Sequence, residues 1–241
     1  MINRKIISII AIVVIYSIAS LLIDKAYILP SILEVLISLK DIVISSNFIT
    51  TVLLTVSRTL IGVTISFMIS LVLASVSYRY KSFEEFIEPL YIILKTIPNI
   101  TYIVIALIWF GRTGSILIVS TTVVLPIFYN SILSALKNID KDLKEYTMLY
   151  DYSYIYLLYR IYIPIIFKDI LLSISNCLSL SFKVSIMAEI LSQISSGIGK
   201  ELYIAKSNFL TSEIFAWTII IILISYLFDS IIHLIVKKYS N

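Results

Sequence analysis

Residues 140–168 read DKDLKEYTMLYDYSYIYLLYRIYIPIIFK. The segment is rich in apolar residues, yet it does not have the pattern of a membrane span. It opens on alternating acid and base, Asp140-Lys141-Asp142-Leu143-Lys144-Glu145. Leu143, Tyr146, Leu149 and Tyr150 recur at the spacing of one helical face. An aromatic run follows, with Tyr152, Tyr154, Tyr156 and Tyr159, and the segment reaches Pro164. This is an amphipathic surface element. The stretches on either side, 116–136 and 167–191, are of the opposite kind, each near the roughly 20 apolar residues that a spanning helix needs.

Outward from this loop the same alternation continues. Six segments qualify as spans: 6–23, 52–77, 88–109, 116–136, 167–191 and 214–235. The composition agrees: 59% of residues are hydrophobic, 14% are charged, and the mean hydropathy is +1.01. Soluble domains hold about 45–50% apolar and about 25% charged residues, and a globule of this size could not hide the excess. The expected fold is an all-α polytopic bundle of about six spans. The stretch after Arg4 and Lys5 is too long for the apolar core of a signal peptide and is read as a retained span. No polar linker divides the chain. The reading is an N-terminal span with an outer amphipathic segment over 1–49, and a transmembrane domain over 50–236 that carries the loop 137–165. Within the outer segment, Pro30 ahead of Ser31 to Leu36 predicts a short helix lying on the membrane surface.

The net charge of +4 is a topology signal, not a nucleic-acid signal, because the basic residues fall in short loops. With the N-terminus inside, the cytoplasmic segments carry Arg4, Lys5, Arg79, Lys81, Lys137, Lys141, Lys144, Arg160, Lys168, Lys237 and Lys238. The outer segments carry only Lys25, Lys40, Arg112, Lys200 and Lys206. This bias predicts both termini on the cytoplasmic side of the cell membrane. One cysteine, Cys177, and one histidine, His233, leave no disulfide framework and no multi-histidine metal centre. Neither a cofactor nor a metal is expected. Gly197 and Gly199 lack the third glycine of a dinucleotide loop, and no P-loop occurs. An energy source for this chain would have to sit on another subunit.

The loop resembles the EAA loop of ABC importer permeases, E-A-A-x3-G-x9-I-x-L-P. Glu145 stands at the Glu position, Tyr146 and Thr147 at the two Ala positions, Asp151 at the Gly, and Ile161, Ile163 and Pro164 at I-x-L-P, with every spacing kept. Asp tolerates the left-handed turn that Gly allows, and its carboxylate could cap the next helix. Other elements occur in the order of the nitrate, sulfonate and taurine branch. They are Pro98 with Trp109-Phe110-Gly111, Pro126 to Asn130, Ala188-Glu189, Ser196-Gly197-Ile198-Gly199 and Phe215-Ala216-Trp217. The resemblance covers about residues 50–235. It implies a type I (MetI-like) importer permease fold and a loop that docks into cytoplasmic ABC ATPase subunits. It also implies an extracytoplasmic solute-binding protein, a second permease copy and a small solute such as nitrate, a sulfonate, taurine or a vitamin precursor. The chain itself is expected not to be an enzyme. The readings set against this one are a polytopic membrane enzyme and an ATP-independent channel.

Charges within spans are costly and mark function by default. Arg58, Lys183 and Glu189 are therefore pathway or gate candidates, and Lys95 belongs to the same class. Lys183 and Glu189 are six residues apart and so lie on different sides of one helix. Ser173, Ser175, Ser179, Ser181 and Ser185 make the fifth span unusually polar. Either that face lines the pathway, with Ser179 as its representative, or it packs helices together. Asp229, His233 and Lys237 form a polar stripe at the end of the sixth span, read as a solvated helix end.

Overall fold

A computed structural model describes residues 4–148 and 152–239. The described residues form helices and connecting turns, with no strand among them. In order they are α1 (Arg4–Ile23), α2 (Ile32–Ile44), α3 (Phe48–Arg79), α4 (Lys81–Thr96), α5 (Asn99–Lys137), α6 (Lys141–Met148), α7 (Tyr154–Leu157), a π turn (Leu158–Tyr162), α8 (Ile163–Leu191), α9 (Ile198–Ser207) and α10 (Thr211–Tyr239).

The sequence predicts six spans. Four helices are long and apolar enough to cross a bilayer: α3, α5, the continuous run Tyr154–Leu191, and α10. The predicted 6–23 stretch lies within α1, Arg4–Ile23. One of the predicted spans is arranged differently. The 88–109 stretch is not one helix. It is divided between α4 and the start of α5, because Pro98 cannot donate to the helical ladder and Ile97 is pushed into extended backbone, φ −65° and ψ 130°. A second break separates residues 99–110 from 112–137 at Gly111, whose φ of 69° suits only a residue without a side chain.

The packed faces invert the pattern of a soluble helix. The buried side of α3 carries Thr51, Thr55, Thr59, Gly62, Ser66, Ser70 and Ala74, while Leu53, Leu60, Ile61, Met68 and Val72 are exposed. Lipid is as apolar as leucine, so close packing of small residues and interhelical hydrogen bonds replace hydrophobic burial as the cohesive force. At Gly62 an added Cβ would stand 2.0 Å from Ser120 Oγ and 2.8 Å from Ser120 Cβ, so α3 and α5 approach as near as backbones allow. Thr121 Oγ1 donates to Gly62 O at 3.2 Å, Ser70 Oγ to Leu125 O at 2.9 Å, and Tyr129 Oη to Ser77 Oγ at 2.9 Å. Phe128, Ile132, Leu136, Ile166 and Cys177 fill the centre between α3, α5 and α8.

The segment after Pro30 is helical as expected, with its start one residue later. Ser31 caps α2, Pro30 precedes the cap, and Glu34 completes a capping box by accepting from Ser31 N at 2.7 Å. Leu39 and Ile42 of α2 pack beside Phe48 and Trp217 at the start of α3 and α10.

Candidate functional site

Two clusters concentrate the residues singled out by the sequence: the segment 139–164 and the end of α8.

The first is built on a packed base. Leu143 of α6 and Tyr154, Leu157, Leu158 and Tyr162 of the α7–π-turn stretch rest on the core formed by α3 and α5. Tyr154 Oη donates to Ser75 O at 2.6 Å, and the Arg79 guanidinium lies 5.8 Å from the Tyr154 ring centroid. Tyr78 and Tyr162 meet edge to face at 5.9 Å. Thr147 is buried, with its hydroxyl 3.3 Å from Tyr162 Oη, which ties α6 to the π turn. The start of α6 is held by Asp140, whose carboxylate accepts from Asp142 N at 3.0 Å.

The opposite side of this segment is exposed among the described residues. Tyr146, Tyr152, Ile155, Tyr156 and Tyr159 are exposed, from 45% to 68%, and Tyr152 and Tyr156 stack at 4.8 Å. Glu145 is exposed beside Tyr146. The single helical face expected of Leu143 and Tyr146 is therefore split, with Leu143 turned inward and Tyr146 outward. Leu149, Tyr150 and Asp151 lie outside the described residues. The cap of α7 is Ser153, whose Oγ accepts from Tyr156 N at 3.3 Å.

Pro164 does not end the segment. It sits in the first turn of α8, and the helix runs through from Tyr154 to Leu191. The π turn ahead of it makes this continuity possible. Ile163 N bonds to Leu158 O, one residue further back than in an α-helix, and the looser turn makes room for the proline ring. Ile161 and Ile163 are half-buried against the core, and Pro164 is exposed.

The second cluster centres on Glu189, which is fully buried. Arg58 Nη1 donates to Oε1 at 2.7 Å, Thr55 Oγ1 to Oε2 at 2.9 Å, and Gly199 N to Oε2 at 2.9 Å. The guanidinium also donates to Ser196 O at 2.9 Å and Ser196 Oγ at 3.0 Å, while Ile198 N donates to Thr55 Oγ1 at 2.9 Å. Both carboxylate oxygens are satisfied, and the cluster joins α3, α8 and the turn into α9. Gly197 (φ 116°) and Gly199 are required there. A Cβ at Gly197 would lie 2.7 Å from both Glu189 oxygens, and one at Gly199 would lie 2.3 Å from Glu189 Cβ. The Ser-Gly-Ile-Gly stretch is thus a turn that wraps a carboxylate.

The four pathway or gate candidates do not form one site. Arg58 and Glu189 pair inside the protein, so Glu189 offers no surface to a partner from outside. Ser179 and Ser175 donate to Asp229 of α10 at 2.9 and 2.8 Å, and Ser173, Ser181 and Ser185 are buried. Lys183 is exposed on another side of α8, as the spacing requires. The sequence marked Arg58 and Glu189 separately; their pairing, and the parts of Thr55, Ser75 and Ser77, link positions far apart in the chain and carried no local signal.

Residues 62–241 match the family described as binding-protein-dependent transport system inner membrane component. SsuC of Bacillus subtilis (strain 168), named for aliphatic sulfonates transport as a permease protein, is 22% identical over 216 residues, covering 89% of this chain and 78% of that protein. TmoV of Pelagibacter ubique (strain HTCC1062), named as a trimethylamine N-oxide transport system permease protein, is 23% identical over 155 residues, which are 64% of this chain and 21% of TmoV. A chain of the MetNI methionine ABC transporter in an inward-facing conformation superposes with a TM-score of 0.65 at 16% identity, over 82% of this chain and 100% of that one.

Proposed function

Because the chain belongs to the family of binding-protein-dependent transport system inner membrane components, it is a multi-pass permease subunit of an ABC importer, and we propose that its loop 137–165 is the contact through which a cytoplasmic ATPase drives it. Membership in that family implies an ATPase and a solute-binding protein as partners. The cargo we infer is a small anionic solute of the sulfonate type, supported by the likeness to SsuC. The working unit we infer is a pair of permease chains with both termini on the cytoplasmic side.

The observation that carries the coupling reading is the two-sidedness of the segment. Its inner side is anchored on α3 through Tyr154 and Tyr162, and Thr147 ties α6 to Tyr162. Its outer side presents five exposed large side chains with the Glu145 carboxylate beside them. Aromatic residues are enriched where protein partners bind, and a patch fixed to the bundle passes displacement on to it. The segment also continues into α8 without a break in the helix, so a push on α7 moves α8 as one body. ATP that binds only the closed ATPase pair would shift the permease toward the conformation matching that closure.

Co-expression with the cognate ATPase tests this. Ile155→Asp and Tyr159→Asp alter only exposed positions, so the permease is expected to reach the membrane at normal yield. Co-purified ATPase is expected to fall about tenfold or more, the loss of one buried interface anchor. Retention of the ATPase by the double variant would refute the reading.

A further inference from the structure

Lys95 sits where α4 ends. Its Nζ lies 5.8 Å from the Tyr91 ring centroid, it is exposed, and among the described residues it makes no ion pair. Its depth follows from the neighbouring helices. Lys137, at the end of α5, pairs with Glu84 in the first turn of α4, so these two helix ends lie side by side, and we take them as the membrane-side level of both helices. Lys95 is eleven residues beyond Glu84, about 16 Å along the helix. That is about half of a hydrocarbon core of roughly 30 Å.

An unpaired ammonium at that depth is costly in lipid and belongs beside water or protein. The backbone agrees. The helix breaks at Ile97–Pro98, just past Lys95, and broken helices at membrane depth are tolerated where they line a cavity. A cavity is present. Lys95, Tyr91, Pro126, Asn130 and Ser131 border a space of about 220 Å³, below the roughly 300–1,000 Å³ of drug-sized sites and suited to a solute of few heavy atoms. Ser131 also borders a second space of about 330 Å³, which continues along Ser134, Asn138 and Asn176 toward the Lys137 end of α5.

We propose that Lys95, Asn130 and Ser131 form an anion-binding station midway across the membrane, from which a track of hydroxyl and amide groups leads the solute to the cytoplasmic side. This rests on the permease reading above and names the residues that would select an anion. The ammonium supplies the charge, and Asn130 and Ser131 supply donors to the anion's oxygens. Asp169, on the border of the second space, repels an anion and favours its departure.

Cysteine chemistry tests the station. Cys177, the chain's own cysteine, is fully buried, so an introduced thiol is the reactive one. Ser131→Cys is placed in the full transporter, with its ATPase and binding protein. It is treated with two methanethiosulfonates, one bearing an ethylsulfonate and one an ethyltrimethylammonium, each rate taken relative to a free thiol. The anionic reagent is expected to react about tenfold faster than the cationic one, as a nearby positive charge requires. Lys95→Gln should abolish that preference and Lys95→Arg keep it, while Ile222→Cys, on an exposed apolar face of α10, should react with neither. No reaction at Ser131→Cys, or a preference that Lys95→Gln leaves unchanged, overturns the station. Co-purification of the ATPase with each variant separates the outcomes: a failed station with the ATPase still bound leaves the importer reading standing, and loss of the ATPase from the parent chain removes that reading instead.

Discussion

At the scale of single residues, the most consequential arrangement is the carboxylate of Glu189 enclosed by Arg58, Thr55 and the Gly197–Gly199 turn. A buried ion pair is weak evidence for stability as such, but breaking one partner leaves an uncompensated charge inside the protein. Glu189→Gln keeps the shape and strands Arg58, whose side chain is only 14% exposed. The expected loss is about 3 kcal/mol, read as a fall in the thermal unfolding temperature of the detergent-solubilised complex. Arg58→Met with Glu189→Met should recover part of it, since no charge is then unpaired; equal losses in the single and double variants would contradict the pairing argument. The sequence made the two charges conspicuous because each is costly within a span. It could not disclose their meeting, which depends on how α3 and α8 cross.

At the scale of elements, the four long helices were legible because each exceeds the length that lipid requires, whereas the breaks at Pro98 and Gly111 were not read from the sequence. The division of 88–109 was misjudged because hydropathy averages over a proline that geometry does not ignore. The serine-rich side of α8 was ambiguous for a physical reason: hydroxyls serve equally to line water and to bind helices together. In the structure Ser175 and Ser179 both donate to Asp229. The α3–α5 contact is the element-level prediction. Gly62→Leu has no space beside Ser120, and overpacking of this kind costs roughly 1–3 kcal/mol. The folded fraction recovered by gel filtration in detergent should drop sharply, whereas Met68→Leu, at an exposed site on the same helix, should leave it unchanged. Similar recovery of both variants would argue against the close approach.

At the scale of the whole molecule, the bundle is a body whose lipid-facing sides are apolar and whose α6–π-turn end carries an uncovered aromatic patch. Lipid accounts for the first, and the second is the face we propose for the ATPase contact. The orientation we propose from lysine and arginine would put that patch in the cytoplasm, within reach of an ATPase. Tyr156→Cys, introduced beside the buried Cys177, measures this directly with a membrane-impermeant thiol reagent applied to right-side-out and to inverted vesicles. The account predicts labelling only in inverted vesicles, and protection from it once the ATPase subunit is added back. Labelling in right-side-out vesicles would put the patch on the far side of the bilayer from any ATPase and contradict the account.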